Sequence, residues 1–191
     1  GFIDYNFLVR DPGVSDPEPV LTDPVAVNAN LRRKFHVDDE ETKSARLSFG
    51  WDISKQLRAD FSYHFQDQDV GGRTINDAAS FGTGDYVSAN RFVEPNFRQN
   101  DLLTAEINYD FGFARLTSAT GFSKYDELGQ RDQTDLLLNF EYGYEDFPSF
   151  AAYTRETNEE KSFNQEVRLV TTDEGPVNWI AGVFYNRFKL D

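Results

Sequence analysis

The sequence predicts an all-β chain that folds as an antiparallel up-and-down meander. Three observations predict it: apolar and polar residues alternate in long runs, turn-forming residues separate the runs, and aromatic residues make up 15% of the chain. The clearest run spans residues 57–66. One face takes Leu57, Ala59, Phe61, Tyr63 and Phe65, and the other takes Arg58, Asp60, Ser62, His64 and Gln66. Strict alternation marks a strand whose two faces have unlike surroundings.

About seven strands follow from this pattern, and the first is truncated. They cover about residues 1–9, 42–51, 57–66, 100–110, 113–123, 162–171 and 177–189. Long loops cover residues 10–41, 67–99 and 124–161. The first loop contains Pro12, Pro17, Pro19 and Pro24, whose density excludes ladder pairing. Within that loop, a short helix is expected at residues 26–35.

The order of strands and loops predicts part of a transmembrane β-barrel. Because short turns alternate with long loops, the turns meet at one end of the sheet and the loops at the other. Outer-membrane barrels have short periplasmic turns and long extracellular loops, and strands of about ten residues cross the bilayer. Three structureless loops of about thirty residues are uncommon in a compact soluble domain. Since seven strands would leave open edges in lipid, residues 1–191 are expected to form one partial barrel domain.

Composition excludes several classes of function. The net charge of −14 argues against a nucleic-acid partner, which requires a basic surface. The absence of cysteine removes disulfide frameworks and thiolate metal sites. The chain also lacks methionine, and Gly1 opens a strand-like run, so a fragment or a processed chain is expected.

Three segments in the last two fifths of the chain carry a family resemblance. The first is a strand with Leu116, Ser118, Thr120, Gly121 and Phe122. After a long loop comes the run Gln165, Glu166, Val167, Arg168 and Leu169, followed by Trp179, Ile180, Ala181 and Gly182. In this order and spacing, the chain resembles part of the β-barrel of TonB-dependent outer-membrane receptors.

The resemblance implies a 22-stranded barrel in the outer membrane of a Gram-negative bacterium, closed by a plug domain. It implies uptake of a scarce nutrient such as a ferric siderophore. Besides outer-membrane lipid and the nutrient, it implies a periplasmic TonB energy-coupling protein as partner. The plug and the segment that TonB grips are absent from residues 1–191, so this chain would supply about seven strands of the wall.

The long loop 124–161 is where a nutrient ligand is expected to bind. It combines aromatic platforms with fixed positive charges, a combination typical of ligand sites. The candidates are Arg131, Tyr142, Tyr144, Phe147, Tyr153 and Arg155. An equally weighted interpretation is that the aromatic residues pack the loop onto itself.

Other chemistry finds little support, so neither a cofactor nor enzymatic activity is expected. His36 and His64 lack neighbouring metal ligands in the sequence, which favours solvated or lumen-lining histidines. A calcium loop starting at Asp67 lacks the glutamate required at its twelfth position, where Ala78 stands. Glu166 and Arg168 are expected to form charge ladders with neighbouring strands rather than to act as a catalytic pair.

Two alternatives remain open from the sequence. A porin-type barrel of the outer membrane would have the same strand rhythm without a plug. A soluble or secreted carbohydrate-binding β-sandwich would use the aromatic loops as its site, and its apolar strand faces would need a second apolar layer.

Overall fold

The computed structural model describes residues 1–9, 31–76, 78, 84–133, 153–172 and 175–191. Nine strands lie in these ranges. They are β1 (Asp4–Val9), β2 (Leu31–Lys34), β3 (Glu40–Asp52), β4 (Leu57–Val70), β5 (Val87–Ser88), β6 (Asn96–Asp110), β7 (Ala114–Asp132), β8 (Tyr153–Thr171) and β9 (Ile180–Leu190). The expected all-β class is confirmed.

Six strands form one antiparallel sheet in the order β3-β4-β6-β7-β8-β9. Neighbours in the sheet are neighbours along the chain, apart from the two-residue β5, so the expected meander is confirmed. The last pair is in continuous register from Glu160 opposite Leu190 to Val170 opposite Ile180.

Short-range polar contacts make the connections at one end of this sheet tight. In the β3–β4 turn, Ser54 Oγ accepts hydrogen bonds from the backbone N–H groups of Gln56 and Leu57, both at 3.1 Å. In the β6–β7 turn, Asp110 Oδ1 accepts from the Gly112 N–H at 2.7 Å. Gly112 has φ 89°, a left-handed conformation that glycine adopts without steric cost. In both turns, a side-chain oxygen thus accepts hydrogen bonds from backbone N–H groups that, among the described residues, have no partner on a neighbouring strand.

The strands extend beyond the boundaries expected from the sequence. β4 continues to Val70, β6 begins at Asn96, β7 continues to Asp132 and β8 begins at Tyr153. The expected loops 67–99 and 124–161 are therefore partly strand. In these extensions both faces carry polar residues, so the apolar alternation that marks a strand is lost while backbone pairing continues. β9 begins three residues later than the expected position 177.

Residues 1–9 do not join the six-stranded meander. The expected count of seven strands in this sheet is therefore wrong, because the first of them lies in another sheet. Instead β1 is the centre of a three-stranded sheet in the order β2-β1-β5. Its pairing with β5 is parallel, and its pairing with β2 is antiparallel. β2 lies in the expected loop 10–41 and replaces the described part of the short helix expected at 26–35. Its backbone pairs with β1, from Val9 opposite Leu31 to Tyr5 opposite Lys34.

The chain divides into two compact units. The first comprises Gly1–Glu41, Gln68–Phe97 and Leu128–Thr157, and the second comprises Thr42–Asp67, Arg98–Glu127 and Asn158–Asp191. In the first unit, the buried side chains of Ile3, Tyr5 and Val37 form a small core, against which Val93 packs. In the second unit, among the residues that the structure describes, only the small side chains of Ala59 and Ala114 are buried hydrophobics.

Candidate functional site on the six-stranded sheet

One side of the sheet in the second unit exposes large hydrophobic side chains on all six strands. Leu47 on β3 and Val183 on β9 are each 71% exposed. This apolar face is defined by Leu47, Phe49, Trp51, Phe61, Leu103, Ile107, Phe122, Phe163, Val183 and Tyr185. Soluble surfaces rarely expose apolar patches that extend over so many adjacent strands. The apolar face therefore requires a covering that the described residues do not supply.

Aromatic side chains cluster at the short-turn end of the apolar face. The rings of Tyr109 and Phe111 have centroids 4.7 Å apart, and those of Phe111 and Phe113 are 6.0 Å apart. Trp51 and Trp179, the only tryptophans in the chain, also lie at this end and are exposed. Amphipathic rings concentrate where an apolar medium meets water.

The opposite side of the sheet, the polar face, carries a groove of about 730 Å³. All six strands line it, among them Ser48, Asp60, Thr104, Gly121, Asn164 and Phe184. Strands in a sheet are about 4.8 Å apart, so one groove touches six of them only where the sheet curls around it. The polar face is therefore concave, and the apolar face is convex.

Ion pairs on the polar face run mainly along single strands. Arg58 donates to both carboxylate oxygens of Asp60, at 2.7 and 2.8 Å. It also donates to Asp52 at 3.0 Å. Arg168 lies 3.7 Å from Glu166 on the same strand, β8, so these two charges pair along the strand rather than with neighbouring strands as expected. These side chains are about half exposed, and exposed pairs contribute about 0–1 kcal/mol each. Their main effect is to keep the groove polar and hydrated.

The middle of the groove is roomy because small residues lie among the charged ones. Asp60, Glu106 and Glu166 contribute three carboxylates, while Gly50 and Ala119 occupy neighbouring positions in the lining. A Cβ atom on Gly50 would lie 2.8 Å from Arg58 Nη2 and 2.9 Å from Asp60 Oδ1. A larger residue at position 50 would therefore displace that ion pair. Chemically, the groove can hold water and polar or charged solutes.

Hydroxyl groups link neighbouring strands across the same groove. Ser62 Oγ and Thr104 Oγ1 are 2.7 Å apart, and Ser62 Oγ is 3.4 Å from His64 Nε2. The shorter contact is an ordinary cross-strand hydroxyl pair. His64 thus lies on the polar face, as its place in the alternation predicts.

The first unit contains a buried polar cluster that the sequence did not reveal. The Glu94 carboxylate, 3% exposed, accepts two hydrogen bonds from Arg73, at 2.6 and 2.5 Å. It also accepts from the backbone N–H of Asp132 at 2.9 Å. In turn, the Asp132 carboxylate accepts from the backbone N–H groups of Arg91 and Phe92. These contacts fasten residues 73, 91–94 and 132 together, although they are far apart in the sequence.

Tyr5 connects this cluster to β1. Its hydroxyl donates to Glu94 Oε2 at 3.5 Å and accepts from Asn90 Nδ2 at 3.2 Å. Burial, together with the negative charge of Glu94, raises the pKa of Tyr5 well above its usual value. Tyr5 therefore remains a neutral hydrogen-bond donor. No local pattern joins residues 5, 73, 94 and 132, so only the tertiary structure reveals the cluster.

The six ligand-binding candidates are only partly placed by the structure. Tyr142, Tyr144 and Phe147 lie outside the described residues. Arg131 is 3.9 Å from Glu156, and the ring of Tyr153 packs on Phe92 with centroids 4.7 Å apart. Arg155 is exposed on β8. The contacts of Arg131 and Tyr153 are internal to the first unit, so these two residues have structural partners already.

Comparisons with protein-family models, with curated proteins and with solved structures find no match to this chain. Among the residues that the structure describes, no helix has the length and apolar character needed to span a membrane.

Proposed function

We propose that this chain forms part of the wall of an outer-membrane β-barrel transporter. The single observation that carries the proposal is the sidedness of the curved sheet. Its convex face is apolar and exposed on six strands, whereas its concave face is a polar groove. Membrane barrels with aqueous or plugged interiors have this arrangement. In a soluble barrel or sandwich, the apolar side chains of each sheet fill the interior instead.

The energetic cost of leaving the apolar face in water supports a lipid covering. Burial of one large apolar side chain contributes about 1.5–3 kcal/mol. The ten side chains that define the apolar face are on average about half exposed, so completing their burial is worth roughly 8–15 kcal/mol, which is comparable to the usual net stability of a domain, about 5–15 kcal/mol. Lipid supplies the covering without further protein. The free edges of β3 and β9 would then pair with other strands of the barrel, because lipid cannot satisfy their backbone groups.

Within this class, the resemblance to TonB-dependent receptors favours a transporter of a scarce nutrient such as a ferric siderophore. On this proposal, the polar face lines the lumen, and the long loops capture the nutrient. The TonB energy-coupling protein acts through parts outside residues 1–191.

Lipid exposure can be tested with nitroxide spin labels, because the chain has no cysteine of its own. Leu103→Cys places a label on the apolar face, and the adjacent Thr104→Cys places one on the polar face. In the membrane, the label at position 103 should be accessible to oxygen, which dissolves in lipid, and shielded from a water-soluble nickel chelate. The label at position 104 should show the reverse. Low accessibility of position 103 to both reagents would instead indicate a second protein layer.

Energy dependence separates a nutrient receptor from a passive porin. Cells that produce the complete protein should accumulate a radiolabelled ferric siderophore only when TonB is present and the inner membrane is energised. Uptake that persists without TonB would favour the porin alternative. If lipid exposure is observed while no siderophore is taken up, the wall proposal stands and the nutrient class must change.

A further inference from the structure

At the long-loop end of the apolar face, charged residues replace hydrophobic ones in two rows. Lys161 on β8 lies directly opposite Lys189 on β9. One step further, Glu159 and Asp191 exchange backbone hydrogen bonds of 3.2 and 2.9 Å. Ion pairs connect the rows along each strand: Lys161 with Glu159, and Lys189 with Asp191.

β7 continues both rows. The Thr172 N–H donates to Phe113 O at 3.0 Å, which sets the register of β7 and β8. A Cβ on Gly121 would lie 4.0 Å from Asn164 Cβ, in the same register. Counting along the antiparallel pair places Lys124 opposite Lys161 and Asp126 opposite Glu159. The Lys124–Asp126 ion pair is 2.6 Å. We call Lys124, Lys161 and Lys189 the lysine row, and Asp126, Glu159 and Asp191 the carboxylate row.

Both rows place like charges side by side on adjacent strands. Like charges directly opposite each other destabilise a sheet, whereas alternating charges would stabilise it. Nevertheless the lysine row contains three of the six lysines in the chain. All six side chains of the two rows remain between 33% and 58% exposed. On β7, β8 and β9 the surface thus carries a positive stripe and, farther out, a negative stripe, both open to external counter-ions. On β6, Asp101 lies opposite Lys124 and ends the positive stripe.

We propose that the lysine row binds the phosphate groups of anionic membrane lipid. The inference rests on the proposed function, because only a sheet with its apolar face in lipid brings the row to head-group level. Lipid chains lying along Phe122 and Phe163 would place their phosphates at the next residues out, Lys124 and Lys161. Arg187, opposite Phe163, adds a fourth positive charge at this border. The carboxylate row repels phosphate from the level above and holds the lysines in place.

Lipid fits this surface better than a second copy of the chain. The lysine row is continuous with the apolar face, so one covering reaches both. A membrane lipid also matches the surface along its length. Its acyl chains would cover the apolar face, and its phosphate group would reach the positive stripe next to that face. Each lysine near an anionic membrane surface contributes about 1 kcal/mol, or roughly a fivefold change in affinity.

The test compares two triple variants of the complete membrane protein. The variant K124Q/K161Q/K189Q removes the lysine row, and the matched control K34Q/K55Q/R115Q removes three positive charges that lie off the apolar face. Each protein is placed in phosphatidylcholine vesicles that contain spin-labelled phosphatidylglycerol or spin-labelled phosphatidylcholine. The motionally restricted fraction of each spin-labelled lipid then gives the preference for the anionic head group.

We expect the preference for phosphatidylglycerol to fall roughly fivefold or more in the lysine-row variant and to be retained in the control. An equal preference in both variants would overturn the proposal. So would a change in oligomeric state with unchanged lipid preference, which would indicate a second copy. If the lysine-row variant does not insert, the variant D126N/E159Q/D191N, which removes the carboxylate row, tests the proposal instead. It should raise the preference for phosphatidylglycerol. An unchanged preference would reject the site. Failure of the unsubstituted protein to insert into either vesicle would refute the wall proposal itself.

Discussion

Glu94 is the residue on which the buried polar cluster of the first unit depends. It accepts hydrogen bonds from Arg73, Tyr5 and the Asp132 backbone at once, so Glu94→Gln should remove the buried carboxylate that pairs with Arg73. A loss of about 1–3 kcal/mol in the local stability of the first unit is expected. Hydrogen exchange at the Asp132 amide measures it. The control Glu156→Gln removes an exposed partner of Arg131 and should cost about 0–1 kcal/mol. Equal effects would mean that Glu94 has no special role.

Asp38 gives the first unit a dependence on acid pH. Its slight burial acts to raise its pKa, but hydrogen bonds from the backbone N–H groups of Ile3 and Phe2, at 2.7 and 2.5 Å, outweigh this and lower it. A folded-state pKa below the unfolded value of about 3.9 stabilises the fold above that pH, and the stabilisation is lost as pH falls through the folded pKa. The protection factor of the Ile3 amide, its exchange rate relative to an unfolded chain at the same pH, should therefore fall below about pH 4. In Asp38→Asn, the protection factor should already be low at neutral pH and should change little as the pH falls.

At the scale of elements, strands β7 and β8 place a polar side chain, Gln165, on the apolar face. The amide of this side chain is hydrogen-bonded to side chains of the neighbouring strand. Gln165 Nε2 donates to Ser118 Oγ at 3.0 Å, and Gln165 Oε1 accepts from Thr120 Oγ1 at 2.6 Å. Gln165→Leu should cost roughly 0.6–2 kcal/mol because two hydroxyls lose their partner in lipid. The triple variant S118A/T120V/Q165L should recover most of this loss, since it removes both sides of each hydrogen bond. Urea unfolding in lipid vesicles measures both values, and a triple variant less stable than the single one would contradict the argument.

The sequence predicts the faces of these strands well but their lengths poorly. From residue 57 to 66, the alternation separates Phe61 from Asp60, and the structure places them on opposite faces. Beyond Gln66, the strand continues through Asp67 and Gln68 with no apolar side to mark it. The three-stranded sheet escaped prediction for another reason. Its β1–β5 pairing joins Asp4 to Val87, and no local pattern encodes a contact so distant in the sequence.

At the scale of the second unit, the border between apolar and charged residues on the apolar face is oblique to the rows of the sheet. On β3 the last apolar residue is Ala45, followed outward by Lys43, and on β9 it is Tyr185, followed by Arg187. The registers place Ala45 in the row of Lys189, two rows beyond Tyr185. Between β3 and β9 the border therefore moves by four residues, or about 13 Å, along the strand direction. The distance across the sheet between these two strands is about 24 Å. The corresponding angle of about 30° is close to the strand tilt of membrane barrels, roughly 35–45°. A border parallel to a membrane surface would have this slope.

A depth series of arginine substitutions on β9 tests this geometry directly. Val183→Arg introduces a charge in the middle of the apolar face and should cost about 2–4 kcal/mol in a bilayer. Val177→Arg, beyond the strand end, should cost about 0–1 kcal/mol, and Asn186→Arg on the polar face serves as the control. Because a thin bilayer brings water closer to position 183, the cost of Val183→Arg should fall in vesicles of short-chain lipid. In a soluble sandwich, the same residue would lie between protein layers, and its cost would not depend on the lipid. Urea unfolding in thick and thin vesicles distinguishes the two, and a cost independent of acyl-chain length would rule out the membrane wall.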